Sequence, residues 1–184
     1  MIYFIILIAL AAVFLFYFVG IYNNLVRKRS LVEEGWSGID VQLKKRYNLI
    51  PNLVETVKGY ASHEKETLEQ VITARNKAIQ AEGVADQTKA EQQLNSALAN
   101  IFALSEAYPD LKANQNFLHL QQELSNIEGD IEKARRYYNG TVREQNIMVE
   151  SFPSNIVANS FGFQISSFFE LEDESQRSNP EVKF

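Results

Sequence analysis

Residues 114–150 read NQNFLHLQQELSNIEGDIEKARRYYNGTVREQNIMVE. Within them Phe117, Leu120, Leu124, Ile127, Ile131, Ala134, Tyr138, Val142, Gln145 and Val149 recur at steps of three or four. Those steps keep one narrow stripe of a helix on one side, because 3.6 residues make a turn. The pattern persists for about ten turns and stays close to a seven-residue repeat, as in helices that pack along their length.

The same period recurs upstream. Val32, Trp36, Ile39, Leu43 and Arg46 form a first stripe; Leu53, Val57, Tyr60 and Ala61, then Leu68, Val71, Ile72, Arg75 and Ile79, form a second; Leu94, Ala97, Leu98, Ile101 and Leu104 form a third. Pro51 disfavours helical geometry at Ile50 and suits the first turn of a new helix, which predicts a turn near Asn48. Gly59 and the polar Ser62–Glu66 stretch allow a kink, or a break with Ser62 as the cap of a new helix. Gly83 and its polar surroundings read as a loop, Asp86 as the cap of the third helix, and Tyr108-Pro109-Asp110 as its end. Four long amphipathic stretches on short connections predict an all-α fold, an antiparallel bundle over residues 27–150. Residues 151–184 read as a short helix, an extended segment packed by its phenylalanines, and a frayed acidic tail.

In front of the bundle, Ile2–Tyr22 reads IYFIILIALAAVFLFYFVGIY with no ionisable charge. At ~1.5 Å per residue this spans ~30 Å, the hydrocarbon thickness of a bilayer, so residues 1–26 are expected to form a single-pass transmembrane anchor. A cleaved signal peptide would carry a basic start, a shorter apolar run and a small-residue cleavage site, and none of the three is written here. Arg27, Lys28 and Arg29 follow the span and nothing basic precedes it. The positive-inside rule therefore puts the N-terminus outside and the C-terminal domain in the cytoplasm of a bacterial cell, with the inner membrane as its address. Tyr3 and Tyr22 suit headgroup depth.

The formal net charge of −5 argues against a nucleic-acid partner, which needs clustered Lys and Arg. With no cysteine there is no thiolate nucleophile or Cys-ligated zinc. His63-Glu64-Lys65-Glu66-Thr67 begins like a zincin motif, but Thr67 stands where a second histidine must be. Neither His63 nor His119 has the Glu three residues before it that a di-iron bundle uses. Phosphate-cradling glycine loops and nucleophile elbows are missing as well. No catalytic, cofactor-binding or metal-binding site is expected, and no cofactor; the chain reads as non-enzymatic.

Polar residues on apolar stripes stand out instead: Gln42, Arg46, Asn52, Arg75, Arg135, Asn139, Arg143, Gln145 and Asn146. They read either as paired positions that fix helix register, or as the lining of a pocket or interface. Trp36 on the first stripe joins them as a candidate contact. Phe161 and Phe168 join from FGFQISSFF, which places four phenylalanines in nine residues. Their apolar surface predicts self-association, with a fold-back over the helices as the competing outcome.

Residues 31–61, LVEEGWSGIDVQLKKRYNLIPNLVETVKGYA, closely resemble the signature of LemA family proteins. So do Ala134–Asn146 (ARRYYNGTVREQN), the Phe152-Pro-Ser-Asn155 step, the Phe161-Gly-Phe163 and Phe168-Phe-Glu170 pair, and the closing Pro180-Glu-Val-Lys-Phe184. The resemblance implies a single-pass membrane protein with a long-helix bundle, in a family whose members mostly lack an assigned activity. It further implies links to magnetosome membranes and to membrane metalloproteases of the HtpX type, and so a scaffold or adaptor that assembles with itself or with membrane partners. A ligand-sensing bundle with an Arg/Asn-lined pocket is the alternative. The sequence departs from the family pattern at Gly35 and Gly38, usually larger residues, and at Gln164–Ser167.

Overall fold

The computed structural model describes residues 1–170. Every regular element among them is helical: α1 (Ile2–Lys58), α2 (Lys65–Gln80), α3 (Gly83–Ser105), α4 (Pro109–Lys112), α5 (Gln115–Glu150) and α6 (Ser154–Phe161). The expected acidic tail and the Pro180–Phe184 motif lie outside the described residues. Two compact units form, one from Met1–Lys44 with Ile127–Phe168, the other from Lys45–Asn126 with Phe169 and Glu170.

The turn expected near Asn48 does not form. Helix α1 runs unbroken for 57 residues with Pro51 inside it, so the apolar leading segment and the first amphipathic stripe belong to one element. Proline at position 51 has no N–H to donate to the carbonyl four residues earlier, that of Tyr47. Arg75 of α2 fills the gap: its Nε donates to the Tyr47 oxygen at 2.8 Å. A side chain 28 residues away supplies the missing hydrogen bond, and a sequence window around the proline could not contain it. Arg75→Leu should leave that carbonyl unpaired and lower the unfolding free energy by about 1–3 kcal/mol, measurable by denaturant titration.

Near Ser62 the helix does break. The cap of α2 is Glu64, not Ser62, and it makes no side-chain capping bond. Helix α3 starts at Gly83 after Glu82, with φ +77° at the glycine, so Asp86 sits inside the first turn rather than at the cap. That acid near the N-terminal end still complements the helix dipole.

Burial follows the stripes with instructive exceptions. Val32, Ile39 and Leu43 on α1, Leu94, Leu98 and Ile101 on α3, and Phe117, Leu124, Ile131 and Val142 on α5 are all buried. On α2, Leu68, Val71, Ala74 and Ala78 are buried, while Ile72 and Ile79, placed on the same stripe by sequence, are 41% and 50% exposed. The alanines win because their position on the wheel lets the backbone of α2 approach α3 closely, and the larger isoleucines fall one step outside that line.

In the first unit α1 and α5 run antiparallel. An added Cβ on Gly35 would stand 3.1 Å from Tyr138 Cα, Lys28 Nζ bonds Glu144, and Leu25 shares a cluster with Val149. Glycine at 35 is what allows the backbones that near, whereas Gly38 has open space where a Cβ would be. Trp36 is half-buried and meets Tyr138 edge-on, ring centroids 5.6 Å apart. The cluster closes at the end of the apolar span with Val157, Ala158 and Phe163 packed on Leu25 and Val149.

Candidate functional site

Two polar constellations gather Arg46, Gln145 and Asn146 of the nine polar residues that the stripes singled out. The first, in the Lys45–Asn126 unit, centres on Arg46. Its guanidinium is 5% exposed as a residue, donates to Glu91 Oε2 at 3.0 Å and bonds Asn95. Tyr47 donates its hydroxyl to the other Glu91 oxygen. Gln87 then ties the set together: its amide donates to Tyr47 Oη at 2.9 Å, to Glu91 at 3.1 Å and to the Ala78 carbonyl near the end of α2 at 3.2 Å. Burying a charge is tolerable only when it is paired and its remaining lone pairs are filled, and here a cation and a carboxylate neutralise each other inside a hydrogen-bonded shell.

Burial, then the negative Glu91 carboxylate and the hydrogen bond to it, push the Tyr47 hydroxyl far above its ordinary value of 10.0. A phenol whose native-state value is raised contributes stability that is complete below the unfolded value and is lost as pH climbs through and beyond about 10. Tyr47→Phe should therefore flatten the alkaline limb of the stability curve. Absorbance titration should show Tyr47 ionising only as the protein unfolds; a tyrosinate appearing at Tyr47 in folded protein near pH 10 would contradict the pairing.

Sequence reasoning found Arg46 and missed Glu91, Gln87 and Tyr47. The signal was present: Gln87, Glu91, Leu94, Leu98, Ile101 and Ser105 fall at steps of four, three, four, three and four, and all are buried. Two polar residues led that stripe, ahead of Leu94 where its apolar part begins.

The second constellation straps an extended segment to α5 in the other unit. Asn146 pairs its amide with the backbone of Ser166 in both directions, donating to the carbonyl at 2.9 Å and accepting from the N–H at 2.8 Å. Gln145, 3% exposed, donates to the Gln164 carbonyl at 3.0 Å and accepts from the Ser166 hydroxyl at 3.3 Å. Tyr138 donates to the Ser167 carbonyl at 2.9 Å, and burial raises its hydroxyl above the ordinary value. One helix face thus does for residues 164–167 what a neighbouring strand would do: it fills the donors and acceptors of an otherwise unpaired backbone. The four phenylalanines divide accordingly. Phe163 and Phe169 are buried, at 7% and 1%, while Phe161 and Phe168 remain 63% and 39% exposed.

The other candidates stand apart. Asn52 and Arg143 are exposed, Arg135 and Asn139 are half-buried, and the Gln42 amide oxygen is buried without a hydrogen-bond partner. His63 and His119 are both exposed. Beside the span, Lys28 holds the Glu144 carboxyl below the usual carboxylate range, first through a direct hydrogen bond and then through its charge.

Protein LemA of Metamycoplasma hominis is 27% identical over 164 residues, covering 88% of this chain and 74% of that protein. Magnetosome protein MamQ 2 of Paramagnetospirillum magneticum is 22% identical over 175 residues, and MamQ of Magnetospirillum gryphiswaldense 21% over 178. The chain spans 64% and 63% of the lengths of those two magnetosome proteins. The sequence profile of the LemA family matches residues 35–184, a stretch that holds Arg46, Glu91 and the α5 strap alike, and the chain belongs to that family.

Proposed function

We propose that this chain is a membrane-anchored, non-enzymatic scaffold or adaptor that assembles with itself or with membrane partners. The observation that carries the reading is how its polar core residues are used. Arg46 is engaged by Glu91 and Asn95, Arg75 by a backbone carbonyl, and Gln145 and Asn146 by the 164–166 backbone. Side chains already saturated by their own chain hold a shape and are not free to grip a small molecule.

A ligand-sensing bundle would need those same residues around a cavity. The groove of about 610 Å³ between α2 and α3 is lined by Glu66, Gln70, Lys77, Gln93 and their neighbours, with none of the Arg/Asn set. A smaller one of about 320 Å³ includes Gln145, whose amide is bonded to the strapped segment. Apolar surface is available for protein contact: Ile72 and Ile79 lie seven residues apart on the outward side of α2, and Phe168 is exposed. Tethering in a membrane raises the effective concentration of neighbours, so weak contacts suffice. The magnetosome relatives, and the family's implied link to HtpX-type metalloproteases, suggest membrane proteins as partners.

Full-length protein in mild detergent should scatter light as more than a monomer, and Ile72→Glu with Ile79→Glu should shrink it without loss of helicity. A monomer over a wide concentration range, with no membrane protein co-purifying from affinity isolation, would sink the scaffold reading. For orientation, the basic Arg27-Lys28-Arg29 run supports an outside N-terminus and a cytoplasmic folded part in a bacterial inner membrane. A reporter fused after Phe184 should be active only on the cytoplasmic side, and neutralising the three basic residues should loosen that preference.

A further inference from the structure

The corner between α5 and α6 carries apolar side chains that the fold does not cover. Phe152 is 80% exposed, Ile156 47% and Phe161 63%. Their level along α1 follows from the antiparallel register. Tyr138 lies beside Gly35, Glu144 bonds Lys28, and Val149 shares a cluster with Leu25. Phe152 follows Val149 by three residues, just past the end of α5, and Tyr22 precedes Leu25 by three on α1, near the end of the apolar run.

Helix α6 stays at that level. Val157 and Ala158 are buried in the cluster with Leu25, against which Phe18, Ile21 and Val26 also pack. Phe161 meets Tyr22 with the ring planes tilted by 59° and centroids 4.8 Å apart, and with Tyr22 it bounds an apolar groove of about 820 Å³ that continues along the apolar run from Leu7 to Val19. That surface adjoins a segment long and apolar enough to cross a bilayer, and the 18 residues of its most apolar stretch are unburied by the chain itself. Just above, Arg27 and Arg29 are exposed, and Arg29 sits 5.3 Å from the Phe163 ring centroid.

Resting on the reading of Ile2–Tyr22 as a membrane span, we propose that the α5–α6 corner is a second membrane contact: Phe152, Ile156 and Phe161 insert at the headgroup–acyl boundary of the leaflet from which α1 emerges. The occupant is a phospholipid surface. Aromatic rings at this depth bury their apolar area while the adjacent cations meet lipid phosphates, the arrangement of an interfacial amphipathic helix. Fixed at two points, the span and the corner, this unit would keep a set tilt on the bilayer where a single helix leaves it free to swing.

The chain has no cysteine, so single thiols can be placed at will. Full-length Phe152→Cys, Ile156→Cys, Phe161→Cys and, as a control, Ser37→Cys, about 22 Å further along α1, would each carry a nitrobenzoxadiazole label in phosphatidylglycerol–phosphatidylcholine vesicles. The three corner labels should emit at shorter wavelength than the control, resist iodide several-fold better, and be quenched by bromines on the lipid chains. Corner labels as open to iodide as Ser37 overturn the proposal. So do labels that resist iodide yet ignore the brominated lipid, since a second copy of the chain would then be the cover. Label depth does not depend on copies associating, so a monomer with a lipid-quenched corner retains this inference while losing the scaffold reading.

Discussion

Arg46→Ala should lower the unfolding free energy by about 3–5 kcal/mol, because it leaves the Glu91 carboxylate buried without its cation. The pair is dry on both sides, the two side chains being 6% and 4% exposed. What is lost is less the attraction between the charges than the cover for the one left behind. The double variant Arg46→Met with Glu91→Leu should thus be far milder than the sum of its single variants, since no charge is stranded. Thermal and denaturant unfolding of the four proteins, followed by circular dichroism, form the double-mutant cycle. Additive costs within about 0.5 kcal/mol would mean the two residues do not act as a pair.

Cutting the strap should come next in size. Asn146→Ala removes both bonds to Ser166, and Gln145→Ala removes the bond to the Gln164 carbonyl from a side chain 3% exposed. Each should cost about 1–3 kcal/mol, from lost hydrogen bonds and backbone groups left unsatisfied. The effect has a place as well as a size: amide exchange at Ser166 should accelerate many-fold in Asn146→Ala while that of mid-helix α3 is unchanged. Uniform acceleration over the whole chain, or none at Ser166, would contradict a strap.

The two substitutions probe different kinds of structural information. The all-helical class was legible in the steps of three and four, and so was the membrane-length apolar segment, because both are properties of consecutive residues read against a fixed helical period. Which polar residues on those stripes matter was legible in part. Arg46, Gln145 and Asn146 announced themselves as polar groups where apolar ones were due, but their partners did not: Glu91 is 45 residues from Arg46, and Ser166 is 20 from Asn146.

Pro51 shows the limit most directly. Read locally, a proline ends a helix, since it deletes a donor and crowds the preceding turn. The helix continues because Arg75, brought alongside by the packing of α2, supplies the donor that proline lacks. Likewise Ile72 and Ile79 match the core period yet stay exposed, because the line of closest approach along α2 is set by its neighbour and not by its own sequence. Sequence by itself determined the helical period, the long apolar leading segment and the presence of misplaced polar groups. Only the tertiary structure decided which carbonyl each guanidinium would reach, since hydrogen bonds and buried charges are satisfied by whatever the fold brings within 3 Å, at any distance along the chain.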